Sequence, residues 1–243
     1  MQNNAFVQLQ NIRLAYGDQT VLDGFSLEVR RGEVFGILGR IGSGKTRILR
    51  LIAGLETPQQ GTVELDRSLK DQPFGYILQH DLLIPWINVE ENLRICGRGV
   101  DPLHHPLARD MGLNEMWSKR PSQLSGGMRK KVNLARAFLN PSALVLMDEP
   151  FGALDPAQKR ELQSLVLKQI ISTNATAVMV THDIQEALLA CHRVGFLSAK
   201  SRSLVKTVDN PYQGRTDTVE LLADSGYRAL IQEALNFYEE VRS

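Results

Sequence analysis

The chain has 243 residues, 43% of them apolar and 23% charged, and a formal net charge of +1. These are the proportions of an ordinary folded protein, and the balanced charge offers no footprint for nucleic acid and no preference for an acidic partner. Its length suits one compact α/β domain with a smaller lobe. Cys96 and Cys191 form neither a metal-ligand spacing nor a disulfide framework, and they read as free thiols in a reducing compartment. Met1-Gln2-Asn3-Asn4 has neither the basic leader nor the apolar core of a secretory signal. No apolar run approaches the roughly 20 residues that a membrane-spanning helix needs, so any membrane crossing is expected to fall to another chain.

The N-terminal stretch alternates apolar and polar residues in Val7-Gln8-Leu9 and again in Ile12-Arg13-Leu14, with Gln10-Asn11 slipping the phase as a bulged strand would. Tyr16-Gly17-Asp18-Gln19 reads as a turn and residues 25–29 as a second alternating strand. After Arg31-Gly32-Glu33, the apolar run at residues 34–38 is a buried strand, and residues 48–53 form a helix closed by Gly54. Between strand and helix lies Gly39-Arg40-Ile41-Gly42-Ser43-Gly44-Lys45-Thr46. Residues 61–65 and 74–78 are further strands, the second ending at Gln79-His80. An apolar loop, Leu82-Leu83-Ile84-Pro85-Trp86, then leads to a helix at residues 89–95. Gly97, Gly99, Pro102, Pro106 and Pro121 break the following region into short helices of a separate lobe.

Met128, Val132, Ala135 and Leu139 fall at helical spacing, with Arg129, Lys130, Lys131 and Arg136 mostly facing out and Asn140-Pro141 ending the helix. Residues 143–147 form a buried parallel strand running into Asp148-Glu149. An amphipathic helix near residues 158–172 and a strand at 177–180 follow. Asp183-Ile184-Gln185-Glu186 reads as a capping box that opens a helix toward Ala190. Residues 193–197 are expected to be the final strand. In the tail, Leu230, Ile231, Ala234, Leu235, Tyr238 and Val241 share one helical face. There is no internal repeat.

Three of these stretches carry chemistry. Strand, glycine loop and helix in that order are the context of a phosphate cradle, because glycines let several backbone N–H groups converge and the helix N-terminus adds partial positive charge. Lys45 would reach the outer phosphates and the Thr46 hydroxyl would hold Mg²⁺, so the chain is expected to bind a nucleoside triphosphate. By itself such a loop fits kinases, GTPases and motor ATPases equally well. Asp148 and Glu149 stand at the C-terminal end of a strand, where an open parallel sheet faces its ligand crevice. There Asp148 can hold Mg²⁺ through water and Glu149 can polarise an attacking water. Leu124-Ser125-Gly126-Gly127-Met128 opens a helix with a hydroxyl and free N–H groups, a second anion site, although alone it is equally a serine cap with a Gly-Gly turn.

At this point the sequence resembles the ATP-binding cassette family, whose signature is Leu-Ser-Gly-Gly followed by a polar residue, and the resemblance covers nearly the whole chain. It implies an α/β fold with a P-loop NTPase core, a mostly parallel sheet, an N-terminal antiparallel β patch and a small helical lobe. Residues 1–78 and 141–243 would form the nucleotide-binding core and 79–140 the helical lobe. The implied cofactors are ATP and Mg²⁺. Tyr16 sits where the family places an aromatic residue that stacks on adenine. Gly39, Arg40, Ile41, Gly42, Ser43, Gly44, Lys45 and Thr46 would hold the phosphates. Gln79 matches a glutamine that senses the γ-phosphate and, with Thr46 and Asp148, serves the metal. Glu149 and His182 match catalytic positions, with Lys45 and Gln79 beside them.

In that family two subunits close head to tail, so Ser125, Gly126, Gly127 and, through Ala153-Leu154-Asp155, Asp155 would face the nucleotide of a partner. The resemblance therefore implies a homodimer or a paired homologous ATPase, transmembrane permease subunits, a substrate-binding protein, no nucleic acid, and a peripheral place on the cytoplasmic face of the inner membrane. The Leu82–Trp86 loop followed by Asn92-Leu93, residues 149–155 and residues 181–187 look like those of nitrate/sulfonate/taurine importer subunits. The alternatives are a soluble cassette ATPase without a transport role, or the ATPase of an exporter or lipid transporter. Two departures stand out: the lobe between Asn92 and Leu124 is shorter than usual by about a dozen residues, and Arg47 stands where the family often has a small hydroxyl residue.

Overall fold

The computed structural model describes residues 5–69, 74–97, 99–140, 142–152, 154–213 and 218–242. The chain forms two compact units, one of residues 1–70 and 176–243, the other of residues 71–175.

In the first unit, β1 (Ala5–Tyr16) lies between β2 (Gln19–Arg30) and β4 (Gln60–Leu65), antiparallel to both. The register of β1 on β2 shifts between Leu9 and Ile12, where Asn11 takes φ 48°. That slip is what lets Leu9 and Ile12, of opposite parity, both lie in the core. Tyr16 pairs with Gln19 across the two-residue turn Gly17-Asp18. The second strand is longer than the five residues expected, because its pairing with β1 continues from Gln19 to Arg30, although ahead of Phe25 the buried Leu22 is followed by two exposed residues and no alternation marks it.

Also in this unit, β3 (Val34–Leu38) runs parallel to β7 (Thr176–Thr181) and β8 (Arg193–Leu197). Every residue of β3 and β7 is buried, as expected of parallel strands covered on both faces. Helix α1 (Lys45–Ile52) packs on β7, and α6 (Ile184–Ala190) packs on β3 and β7. The last strand is not β8. β9 (Leu204–Asp209) continues the sheet antiparallel to β8, and only Val208 of its six residues is buried, so no alternation announced it. The tail is α7 (Thr218–Ala223) and α8 (Ser225–Arg242). The buried face of α8 is made by Tyr227, Leu230 and Ala234; Leu235 is exposed, and the Val241 side chain lies outside the described residues.

In the second unit, β5 (Gly75–Ile77) pairs in parallel with β6 (Leu144–Asp148). β5 is shorter than expected at its start, since Phe74 is exposed before the first pairing. Helices α2 (Val89–Cys96), α3 (Pro106–Asp110), α4 (Gly126–Phe138) and α5 (Pro156–Thr173) complete it, with short 3₁₀ turns between α2 and α4. α4 is the hub and touches β5, α2, α3 and α5.

The hub position overturns one expectation. None of Arg129, Lys130, Lys131 and Arg136 is fully exposed, and Lys130 is buried with its ammonium 4.0 Å from Asp81. Arg129 donates to the Leu124 carbonyl at 2.8 Å and Arg136 to the Leu82 carbonyl at 2.5 Å. Their aliphatic stems cover the helix flanks while the head groups satisfy loop carbonyls. α4 ends at Phe138, and Pro141 lies outside the described residues.

Candidate functional site

Strand β3 ends at Leu38, and the glycine loop turns directly into α1, with Gly44 at the N-cap in the left-handed region (φ 98°). A side chain there would be strained, and its Cβ would also stand 2.7 Å from Val21 Cγ1. Lys45 is buried, and its ammonium donates to the carbonyls of Gly39 and Arg40, each at 2.8 Å. The lysine thus arches back over the loop, and the loop curls around its head group. The Ser43 N–H donates to the Arg40 carbonyl at 3.1 Å, while the buried Ser43 hydroxyl has no hydrogen-bond partner among the described residues. A buried, unsatisfied hydroxyl in a ring of glycine backbone is what a phosphate oxygen would complete. Thr46, in the first turn of α1, is exposed, and Ile41 at the loop tip is 84% exposed.

The parallel register delivers the next residue. Leu38 of β3 pairs with Thr181 of β7, so His182 leaves its strand at the level where Gly39 leaves its own. Thr181 anchors this exit: its hydroxyl donates to Glu186 at 2.6 Å and accepts the Asp183 N–H at 3.1 Å. Asp183 caps α6 by accepting the Glu186 N–H at 3.1 Å. The expected box is therefore modified, since the Glu186 carboxylate reaches Thr181.

In the second unit the same geometry recurs. Ile77 of β5 pairs with Met147 of β6, and two residues further on the Gln79 amide donates to Glu149 Oε2 at 3.3 Å. Asp148 is buried at the end of β6. Glu149 takes φ 44°, one of few non-glycine residues in the left-handed region. Pro150 disfavours the right-handed helical region for the residue before it. The bond from the Gly152 N–H to the Glu149 carbonyl (3.2 Å) and the buried Phe151 then hold the turn.

Ser125 caps α4 by accepting the Met128 N–H at 3.2 Å. Gly126 is exposed beside it, and Gly127 lies so close to α5 that a Cβ would run into the Gln158 amide. Asp155 caps α5, accepting the N–H groups of Ala157 and Gln158 at 3.0 Å each. Ala153 lies outside the described residues. Thus Tyr16, the glycine loop and His182 belong to the first unit, and Gln79, Asp148, Glu149, Ser125–Gly127 and Asp155 to the second.

Sequence reasoning gave no structural task to two supporting groups, although Asn92 falls in the importer-like stretch. Asn92, fully buried in α2, accepts the Ile84 N–H at 2.8 Å and donates to the Asn88 carbonyl at 2.9 Å, which ties the apolar loop down. Asn88 and Glu91 form a complete capping box for that helix, a pattern the sequence does display. The other group is Glu56, which gathers Tyr16, Arg47 and Arg50. No motif spacing marks it.

A glycine loop joining a buried parallel strand to a helix, with paired carboxyl residues ending another such strand, defines a nucleoside-triphosphate-binding protein of the phosphate-loop kind. The family model described as ABC transporter matches residues 22–152, and the chain belongs to that family. It is similar to the bicarbonate transport ATP-binding protein CmpD of Synechocystis sp., at 30% identity over 97% of this chain and 90% of that one. It is also similar to the aliphatic sulfonates import ATP-binding protein SsuB of Granulibacter bethesdensis, at 35% identity over 87% of each. Among solved structures, the dimeric post-hydrolysis ATP-binding cassette MJ0796 bound to ADP and Pi superposes with a TM-score of 0.72 at 25% identity, covering 86% of this chain and all of that one. The chain is accordingly an ATP-binding cassette ATPase. Among the described residues no helix is long and apolar enough to cross a membrane.

Proposed function

We propose that this ATPase drives a bacterial importer of small anions, of the nitrate/sulfonate/taurine type, by closing head to tail with a second cassette and passing the motion to separate permease subunits. Support for the cargo class comes from relatives named for bicarbonate transport and sulfonate import that match along most of their length. In this reading residues 1–78 and 141–243 form the nucleotide-binding core and 79–140 the lobe that meets the permease. The exposed Leu82 and Trp86 are the natural contact. A substrate-binding protein would deliver the cargo, and the cassette would sit on the cytoplasmic face of the membrane.

Tyr16 supports the adenine, and Gly39 to Thr46 wrap the phosphates. The partner's copies of Ser125, Gly126 and Gly127 would cover the nucleotide, and Asp155 would shape the dimer interface. Thr46, Gln79 and Asp148 are suited to Mg²⁺, being a hydroxyl, an amide and a carboxylate, hard oxygen donors of the kind this ion prefers. When bound, that ion would neutralise charge on the β- and γ-phosphates. Glu149 accepts a proton from the attacking water as its oxygen bonds to the γ-phosphorus. The bond to the ADP oxygen breaks, and Lys45 and His182 stabilise the charge on the departing groups. Gln79 holds Glu149 in place.

The observation that carries hydrolysis is the Gln79–Glu149 hydrogen bond at a left-handed strand end. Replacing Glu149 by Gln keeps the shape and removes the base. Phosphate release should fall by about 10²–10⁴-fold, the usual contribution of a general base, while ATP binding persists. Turnover at the wild-type rate would refute the assignment. Affinity purification from detergent-solubilised membranes should bring down a polytopic permease, and recovery of soluble partners alone would overturn the transport reading.

A further inference from the structure

Arg47 is the residue of the loop region that the family pattern does not absorb, and its surroundings give it a task. Its guanidinium carbon lies 4.9 Å from the centroid of the Tyr16 ring, within cation–π range. The same guanidinium is hydrogen-bonded to Glu56 Oε1. Glu56 Oε2 accepts the Tyr16 hydroxyl at 2.7 Å, and Oε1 also accepts from Arg50 Nε at 2.6 Å. Immediately before Tyr16, the side-chain amide of Gln59 clasps the Ala15 backbone, accepting its N–H at 2.9 Å and donating to its carbonyl at 2.7 Å. Tyr16 is thus held at its backbone, at its hydroxyl and on one face of its ring. It remains 46% exposed. With Arg47 on one face, the open surface is the other.

We propose that Arg47 is a positioning residue for the base of ATP: bridged by Glu56, its guanidinium backs the Tyr16 ring so that the free face is fixed as the stacking platform. The proposal rests on the reading of Tyr16 as the adenine contact. It makes the first turn of α1 serve both ends of the nucleotide, with Lys45 and Thr46 assigned to the phosphates and Arg47 to the base. An exposed Tyr would otherwise sample several rotamers, and the binding free energy would include ordering it. The guanidinium, planar and already paired with Glu56, removes that penalty, which a hydroxyl residue at position 47 cannot do.

The test compares ATP with inorganic tripolyphosphate, which has the phosphates and no base. In the full chain, Arg47→Ala should weaken ATP binding about fivefold, the upper end of an exposed cation–π contact, and raise KM likewise, with kcat and tripolyphosphate affinity unchanged. In a Tyr16→Ala background the same change should have no effect. Glu56→Gln, which keeps the shape and weakens both tethers, should move ATP affinity in the same direction if the Arg47→Ala protein folds poorly. Equal loss for ATP and tripolyphosphate would place Arg47 at the phosphates and overturn the proposal. So would tighter or unchanged ATP binding, or an effect that persists without Tyr16. Failure of the wild-type protein to bind either compound would instead overturn the nucleotide reading itself.

Discussion

Glu149 tests whether strain and chemistry share one residue. Its φ of 44° is a conformation that an L side chain adopts at a penalty of about 1–2 kcal/mol. Glycine escapes the penalty but loses roughly 0.5–1 kcal/mol more backbone entropy on folding. The difference leaves Glu149→Gly more stable than Glu149→Ala by about 1 kcal/mol, since both lose the hydrogen bond from Gln79 and only one relieves the backbone. For a chain of this size that is about 2–4 °C in Tm, with the glycine variant higher. The pair should be compared by thermal or urea unfolding of the nucleotide-free protein, alongside phosphate release, which both changes should abolish. Equal stability of the two variants, or a more stable alanine variant, would refute the claim that the turn through Pro150 and Phe151 forces a strained backbone on Glu149.

The caps give a second expectation. Asp155→Ala leaves the Ala157 and Gln158 N–H groups without their acceptor and should cost about 1 kcal/mol in chemical unfolding, whereas Asp155→Asn should retain most of it. A third concerns pH. Burial holds the His192 imidazole below its ordinary pKa of 6.5, with Glu33 acting in the opposite sense, and its Nδ1 accepts the Val34 N–H at 3.0 Å. The unfolded chain therefore takes up the proton first, so this contribution is intact above pH 6.5 and lost as pH falls toward the folded value. His192→Gln should flatten the fall of Tm in that interval, and an unchanged slope would assign the acid sensitivity elsewhere, for instance to His105, which burial also depresses.

How much of this was readable depended on whether a residue's task is local. The glycine loop, the bulge near Asn11 and the Ser125 cap are set by neighbours within a few positions, so pattern alone places them. β9 was hidden because an edge strand with one buried residue has no periodicity to show. Lys130 was misplaced because helical spacing cannot tell a solvent face from one covered by neighbours on three sides, as α4 is. Arg47 was visible as an oddity, but its meaning needed Tyr16 and Glu56, brought to it by the antiparallel patch and by the chain leaving α1.

That contrast also explains how the candidate site is built. His182 and Gly39 are placed by the β3–β7 register, and Gln79 and Glu149 by the β5–β6 register. Within each pair, parallel pairing brings the two strand ends to one level, so the ladder sets where these groups leave the sheet, and local contacts such as Thr181–Glu186 and Gln79–Glu149 finish the placement. Tyr16 has no such help. It ends an antiparallel strand at a hairpin, 46% exposed, where nothing in the backbone pairing determines the direction of its ring. A platform in that place has to be fixed by side chains, and Glu56, Arg47 and Gln59 are the ones that do so. In the proposed site the phosphate end would then be a property of the fold. The proposed base end would be a property of a few replaceable contacts, and variation in nucleotide affinity among related cassettes should concentrate there.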